Sequence, residues 1–226
     1  MAAPRLQRPV EPLDLPRPLT WADWRAMPES NRPMELWCGE IEMSPAPTAR
    51  HQRTVVKLVA RLERLAMDVL GAEVYVSPFD VRLADDLVLQ PDVLVWTGRA
   101  GGRLTPGWIE GPVDLAIEVV SPAGRRRDLV QKASVYAHAG VPEYWVVDPD
   151  RAQVIVHLLG ENGYERGIAG DSVACAALDG AEIDLTWLRE LVEADGSVGG
   201  DESAGDGSIA DASAEYDASA LEDGED

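Results

Sequence analysis

The chain has 226 residues, 46% of them hydrophobic, which suits one domain with a substantial core plus tails. A formal net charge of −20 argues against a protein that binds nucleic acid by bulk electrostatics. Cys38 and Cys175, the two cysteines, form no Cys-x-x-Cys pair, which argues against a zinc ribbon or a disulfide framework.

In chain order, residues 1–19 hold five prolines and little periodicity, so they read as an N-terminal arm with no apolar run of the signal-peptide kind. Thr20 is a plausible N-cap for a short helix in "TWADWRAMPES", and "MELWCGEIEMS" (34–44) reads as two short strands around Gly39. Ala49–Leu70 carries the clearest helical signal: Val55, Leu58, Val59, Leu62, Leu65, Ala66 and Val69 recur at helical spacing, and Gly71 stops the run. On the opposite side Arg50, Arg53, Lys57, Arg61 and Arg64 fall within an arc of about 80°. Two readings of that stripe stand: a solvated basic face, or a row of cations available to phosphates.

Strands follow at 73–83, 91–96 and 113–120. "RDLVQKASVYAHAG" (127–140) reads as a helix closed by Gly140, and strands at 142–147 and 152–159 flank the turn "DPDR". "SVACAAL" and "AEIDLTWL" are weaker strand candidates. From Glu193 to Asp226 there are twelve acids and no Lys or Arg, a composition that reads as a disordered tail. Without it, 28 acids face 20 bases, so the body carries −8 and any nucleic-acid contact needs a local patch. If the tail competes with DNA for the basic stripe, its removal raises DNA affinity at low salt. The body, 20–192, runs helix, three strands, helix, strand, an α/β pattern. No stretch is long enough to span a membrane, and the expectation is a soluble, cytoplasmic protein.

Two acids stand out because they sit in runs built for burial. Asp92 opens the strand in "LQPDVLVW", and Glu118 interrupts "LAIEVV". A carboxylate in such a place is costly unless paired or bound to a cation. Presented on one edge of adjacent strands, the two form a hard-ligand site of the kind Mg²⁺ takes. Lys132, fourteen residues after Glu118 on the next helix, can bring an ammonium to that site to orient a water and offset charge on phosphorus. Each residue also has an ordinary alternative, as a turn cap, an ion-pair partner or a surface lysine. The combination is what points to chemistry.

The stretches "ELWCGEIEMSPAPTARHQRTV", "DVRLADDLVLQPDVLVW" and "DLAIEVVSPAGRRRDLVQKASVYAHAGVPEYWVVDP" resemble the Uma2 (DUF820) family of the PD-(D/E)XK restriction-endonuclease-like superfamily, over about residues 20–190. That resemblance implies a mixed central sheet flanked by helices in αβββαβ order, with an N-terminal β-hairpin. It implies Asp92 and Glu118 as metal-binding carboxylates for Mg²⁺, or Mn²⁺, with Glu40 as a further acid able to reach the metal. Lys132 would be the catalytic lysine, displaced from the Glu-x-Lys position, which here is Val120. His51 matches a family histidine and reads as a helix-entry or site-edge residue. Arg125, Arg126 and Arg127, leading into the helix of Lys132, join Arg53 and Lys57 as candidates for holding a DNA backbone.

The expected activity is metal-dependent hydrolysis of DNA phosphodiester bonds by a homodimer. The alternative is a module that keeps the fold and binds nucleic acid or a protein partner without cutting. No Gly-x-Ser-x-Gly elbow or phosphate-binding glycine loop offers another scheme.

Overall fold

The computed structural model describes residues 18–28, 33–120 and 127–196. The arm through residue 17, Arg125, Arg126 and the acidic segment from 197 lie outside the described residues. The body begins earlier than the composition suggested: Leu19 is buried, and its N–H donates to the Gly39 carbonyl at 2.8 Å.

Helix α1 (Trp21–Ala26) opens the domain with Thr20 and Asp23 forming a capping box. Strands β1 (Met34–Trp37) and β2 (Glu40–Met43) form the expected hairpin. Its two turn residues, Cys38 and Gly39, both have positive φ (49° and 79°), as a tight hairpin turn demands. Gly39 has a second constraint, since a Cβ there would lie 2.4 Å from the Cβ of Pro18.

Helix α2 spans Ala49–Ala66, with Thr48 as N-cap accepting from the His51 N–H. The segment read as one strand at 73–83 is two: β3 (Glu73–Val76) and β4 (Asp80–Ala84) belong to different sheets. Pro78, which has no N–H to offer a ladder, sits at the break. Strands β5 (Leu87–Leu89), β6 (Val93–Trp96), β7 (Arg103–Leu104), β8 (Trp108–Glu110) and β9 (Leu115–Val119) follow. A π-helical turn, Arg127–Lys132, runs into α3 (Ala133–His138). Then come β10 (Glu143–Asp148), β11 (Gln153–Gly160), β12 (Gly163–Ile168), β13 (Ser172–Cys175), β14 (Ala181–Asp184) and α4 (Trp187–Gly196). The last of these continues past the tail boundary read at 193.

The chain is therefore mixed α/β, with mixed sheets flanked by helices. It has two six-stranded sheets where a single central one was expected. The first sheet is ordered β2-β1-β5-β4-β8-β7, and the second β12-β11-β10-β9-β6-β3. In the second, β9 and β10 run parallel and every residue of both is buried, the continuous apolar reading typical of a strand covered on both faces. One face packs on α2, the β13–β14 hairpin and α4 through Leu58, Leu62, Ile117, Trp145 and Trp187. The other packs on α3 and on the first sheet through Leu94, Ala116, Tyr136, Tyr144, Val81 and Ile109. Among the described residues, no helix is long and apolar enough to cross a membrane.

One buried acid ties β10 to the β13–β14 unit. Glu143 accepts from the Trp145 indole N–H at 2.8 Å and from the Ala177 N–H at 3.1 Å. Burial pushes its carboxyl above the ordinary 4.5, against the opposing pull of those hydrogen bonds. A raised folded-state value means the fold favours the protonated form. That contribution is full below 4.5 and is lost as pH climbs through the raised value. Glu143→Gln mimics the protonated acid: it keeps one of the two acceptor oxygens and removes the charge. Urea unfolding is expected to give matching stability for variant and wild type near pH 4 and a more stable variant at neutral pH and above; parallel curves across that range contradict it.

Candidate active site

The register of β6 against β9 pairs Val93 with Ile117 and Leu94 with Ala116. Carried one residue further, it sets Asp92 directly across from Glu118. Laterally opposed residues share a face of the sheet, and this face is the one on which Leu94, Ala116 and Val120 pack against Tyr136 and Tyr144. The two acids picked out by their apolar surroundings thus meet at one end of neighbouring strands.

Lys132 arrives from the opposite layer. The π-helical turn delivers it at the head of α3, whose Ala133 and Tyr136 are buried against the same cluster; irregular turns of this type often mark functional positions. Its Nζ donates to Glu118 Oε1 at 2.7 Å. One helical turn on, the Tyr136 hydroxyl donates to the same oxygen at 3.1 Å. Burial, then the nearby Glu118 and Glu35 charges, push the Tyr136 hydroxyl well above its ordinary range, so it remains a protonated donor.

The structure adds a residue that nothing in the sequence singles out. Glu35, in β1, accepts from Lys132 Nζ at 2.9 Å, and the side chains of Glu35, Glu118 and Lys132 are each only 6% exposed. The same Glu35 oxygen accepts from the Gln90 N–H at 3.1 Å. The Gln90 side chain is tied to Asp80 at 2.8 Å, and Asp80 in turn to the Trp24 indole N–H at 2.9 Å. A line of hydrogen bonds therefore runs from α1 to the ammonium.

Asp92 is held differently. Its Oδ2 accepts from the Val119 N–H at 2.8 Å and lies 3.1 Å from His51 Nε2. Its Oδ1 has no hydrogen bond among the described residues, and the side chain is 21% exposed, so this oxygen is available to a ligand. With Glu118 engaged by Lys132 and Tyr136, and Asp92 by His51 and Val119, no group of three or more His, Cys, Asp and Glu among the described residues is drawn together tightly enough to hold a metal. Two carboxylates with open water positions are nonetheless the usual protein share of a Mg²⁺ site, so the donor set fits such an ion.

Other candidates stand further off. Glu40 shares a sheet face with Glu35, but it is exposed beside the hairpin turn, with no hydrogen bond or ion pair to the cluster among the described residues. On α2, Arg53 is exposed, whereas Lys57 and Arg61 lie over the Trp187 ring at 5.7 and 4.9 Å from its centroid, and Arg50 pairs with Asp150 at 2.6 Å. The basic stripe is thus partly spent on packing. Arg127 opens the π-helical turn. His157 is buried against Tyr144 and Tyr164, away from the acids, and burial lowers its pKa.

Comparison with known proteins adds the following. The Uma2 family model, described as "Putative restriction endonuclease", matches residues 21–186. No curated protein matches the chain. Among solved structures it is similar to one described as "a putative nuclease belonging to DUF820 from Anabaena variabilis", with a TM-score of 0.64 and 18% identity, over 77% of this chain and 99% of that one. A likeness at that identity is one of fold.

Proposed function

The chain belongs to the Uma2 family, and from that premise and the site's geometry we propose that it is a metal-dependent endonuclease that hydrolyses DNA phosphodiester bonds. One observation carries the reading: a buried ammonium, Lys132, contacts a strand carboxylate, Glu118, that lies across from a second, Asp92, with an unoccupied hydrogen-bonding oxygen. A structural ion pair alone does not account for Asp92, whose Oδ1 has no hydrogen bond among the described residues and whose side chain is 21% exposed.

Asp92 Oδ1 and the Glu118 carboxylate are the groups to hold Mg²⁺ or Mn²⁺. A dication held there would supply charge neutralisation for the scissile phosphate and acidity for water. Lys132 would help to orient the attacking water, and its charge would offset charge developing on phosphorus. Glu35 holds the ammonium in place, and Tyr136 fixes the Glu118 carboxylate that Lys132 contacts. Hydrolysis forms a bond from the water oxygen to phosphorus, breaks one P–O ester bond, and leaves the departing oxygen as a hydroxyl carrying a proton that balances the one lost by the water.

Arg53 and Arg127, with Arg125 and Arg126 just before it in the sequence, are the proposed phosphate contacts. Because the body is itself acidic, binding rests on few cations, and a protein that neutralises few phosphates has a correspondingly shallow dependence on salt. Cutting both strands of a duplex is simplest with a second copy, and a solution mass of twice 24.5 kDa is the corresponding expectation.

The test is incubation of supercoiled plasmid with the full chain in Mg²⁺, in Mn²⁺ and in excess chelator. Relaxed and linear products are expected with metal and none with chelator. Retention of DNA without cleavage under every metal would instead support the binding-module reading.

A further inference from the structure

We propose that β3, the edge strand beside Asp92, pairs with β3 of a second copy of this chain across a two-fold axis through Tyr75. This rests on the two-copy expectation above and names the surface that meets it. β3 ends its sheet and pairs with β6 alone, Val76 opposite Val93. The Ser77 N–H donates to the Asp92 carbonyl at 3.2 Å, so Ser77, Tyr75 and Glu73 turn their backbone groups toward β6. Val74 and Val76 therefore turn theirs outward, and no described residue bonds to them.

The other sheet edges are guarded where this one is not. β2 carries Glu40 and Glu42 in four residues, β12 carries Glu165, Arg166 and two glycines, and β7 is two residues long. Three of the four residues of β3 are Val or Tyr, an open template for a further strand. Antiparallel pairing about Tyr75 is also self-complementary. It sets Val74 against Val76 of the second copy, each such pair exchanging two hydrogen bonds, and Tyr75 against its own counterpart. Glu73 falls opposite Ser77, so no like charges are opposed. Exposed Val76 lies on the edge itself, and exposed Met67 and Leu70 lie in the turn that leads into it, which gives the second copy apolar surface to cover.

A two-fold axis of this kind stands normal to the sheet, so the site faces of both copies stay on one side. Asp92 lies across from Ser77 in the next strand. At about 3.4 Å per residue and about 4.8 Å per strand, the two Asp92 Cα atoms of a flat sheet stand about 20 Å apart. The two sites run antiparallel to one another, as do the strands of a duplex.

The experiment reads the interface without DNA. Sedimentation of the full chain is expected to give twice 24.5 kDa, and Val76→Lys, which puts an ammonium on the outward edge, is expected to halve that mass. Opposed residues of a pair without hydrogen bonds have Cα atoms about 4.5 Å apart, within disulfide reach. Cys38 is exposed, so the cross-linking variants carry Cys38→Ser. In that background Tyr75→Cys is expected to form a covalent dimer on oxidation, while Ser77→Cys, two residues off the axis, is expected to form none. Circular dichroism establishes that each variant folds. A monomeric wild type overturns the proposal. So does either a dimer that persists in Val76→Lys or a folded Tyr75→Cys that forms no cross-link. Failure to cut DNA overturns the proposed function alone.

Discussion

Lys132→Met is expected to slow DNA cleavage by about 10³-fold, roughly 4 kcal/mol of lost transition-state stabilisation. It is also expected to destabilise the fold by about 3–5 kcal/mol, because it leaves a buried charge uncompensated. Both effects follow from one arrangement. The ammonium lies 2.7 Å from Glu118 and 2.9 Å from Glu35, with all three side chains buried. Methionine fills the space without the charge, and two carboxylates are left facing one another in the interior. Adding Glu35→Gln to Lys132→Met should recover a large part of the lost stability while leaving cleavage as slow as in Lys132→Met, a coupling that a double-mutant cycle measures in urea. If Lys132→Met unfolds like wild type, the ion triad is not what the geometry indicates.

Glu118→Gln should separate the two effects. Cleavage is expected to fall by about 10² to 10³-fold, since a neutral amide neither binds a dication as carboxylate does nor pairs with the ammonium. Stability should fall much less than in Lys132→Met, because Lys132 retains Glu35 and the amide oxygen still accepts from Tyr136. Single-turnover cleavage beside urea unfolding reads both quantities. Equal losses of stability in the two variants would mean that Glu35 does not hold the ammonium by itself.

The parts of this architecture that show in the sequence are those with local signals. Helix α2 follows from the spacing of Leu58, Leu62 and Ala66, and the buried strands β6, β9 and β10 follow from their Val- and Ile-rich runs. Asp92 and Glu118 were conspicuous because a charge interrupts an apolar run. Their apposition follows from strand register, which a single sequence states only weakly.

Glu35 had no comparable signal. It sits in a four-residue strand where both it and Leu36 are buried, so the two-residue alternation that would mark an inward acid is absent. Its partner lies 97 residues away. Glu40, beside the turn, looked at least as plausible and is exposed. The break at Pro78 did have a local mark, the proline itself, but the strand-favouring residues on either side outweighed it in the reading of 73–83 as one strand, and the sorting into separate sheets is tertiary. Strands β7, β8 and β12 were also missed: the first two are only two and three residues long, and β12, with its burial pattern of mainly exposed residues, offers no apolar alternation to read.

The central claim is that Asp92 belongs to a working phosphodiesterase site. The measurement that tests it most directly is plasmid cleavage in Mg²⁺ and Mn²⁺ by wild type and Asp92→Ala side by side, each shown to be folded. The account predicts metal-dependent products from the wild type and none from the variant. Cleavage by Asp92→Ala at the wild-type rate would contradict it.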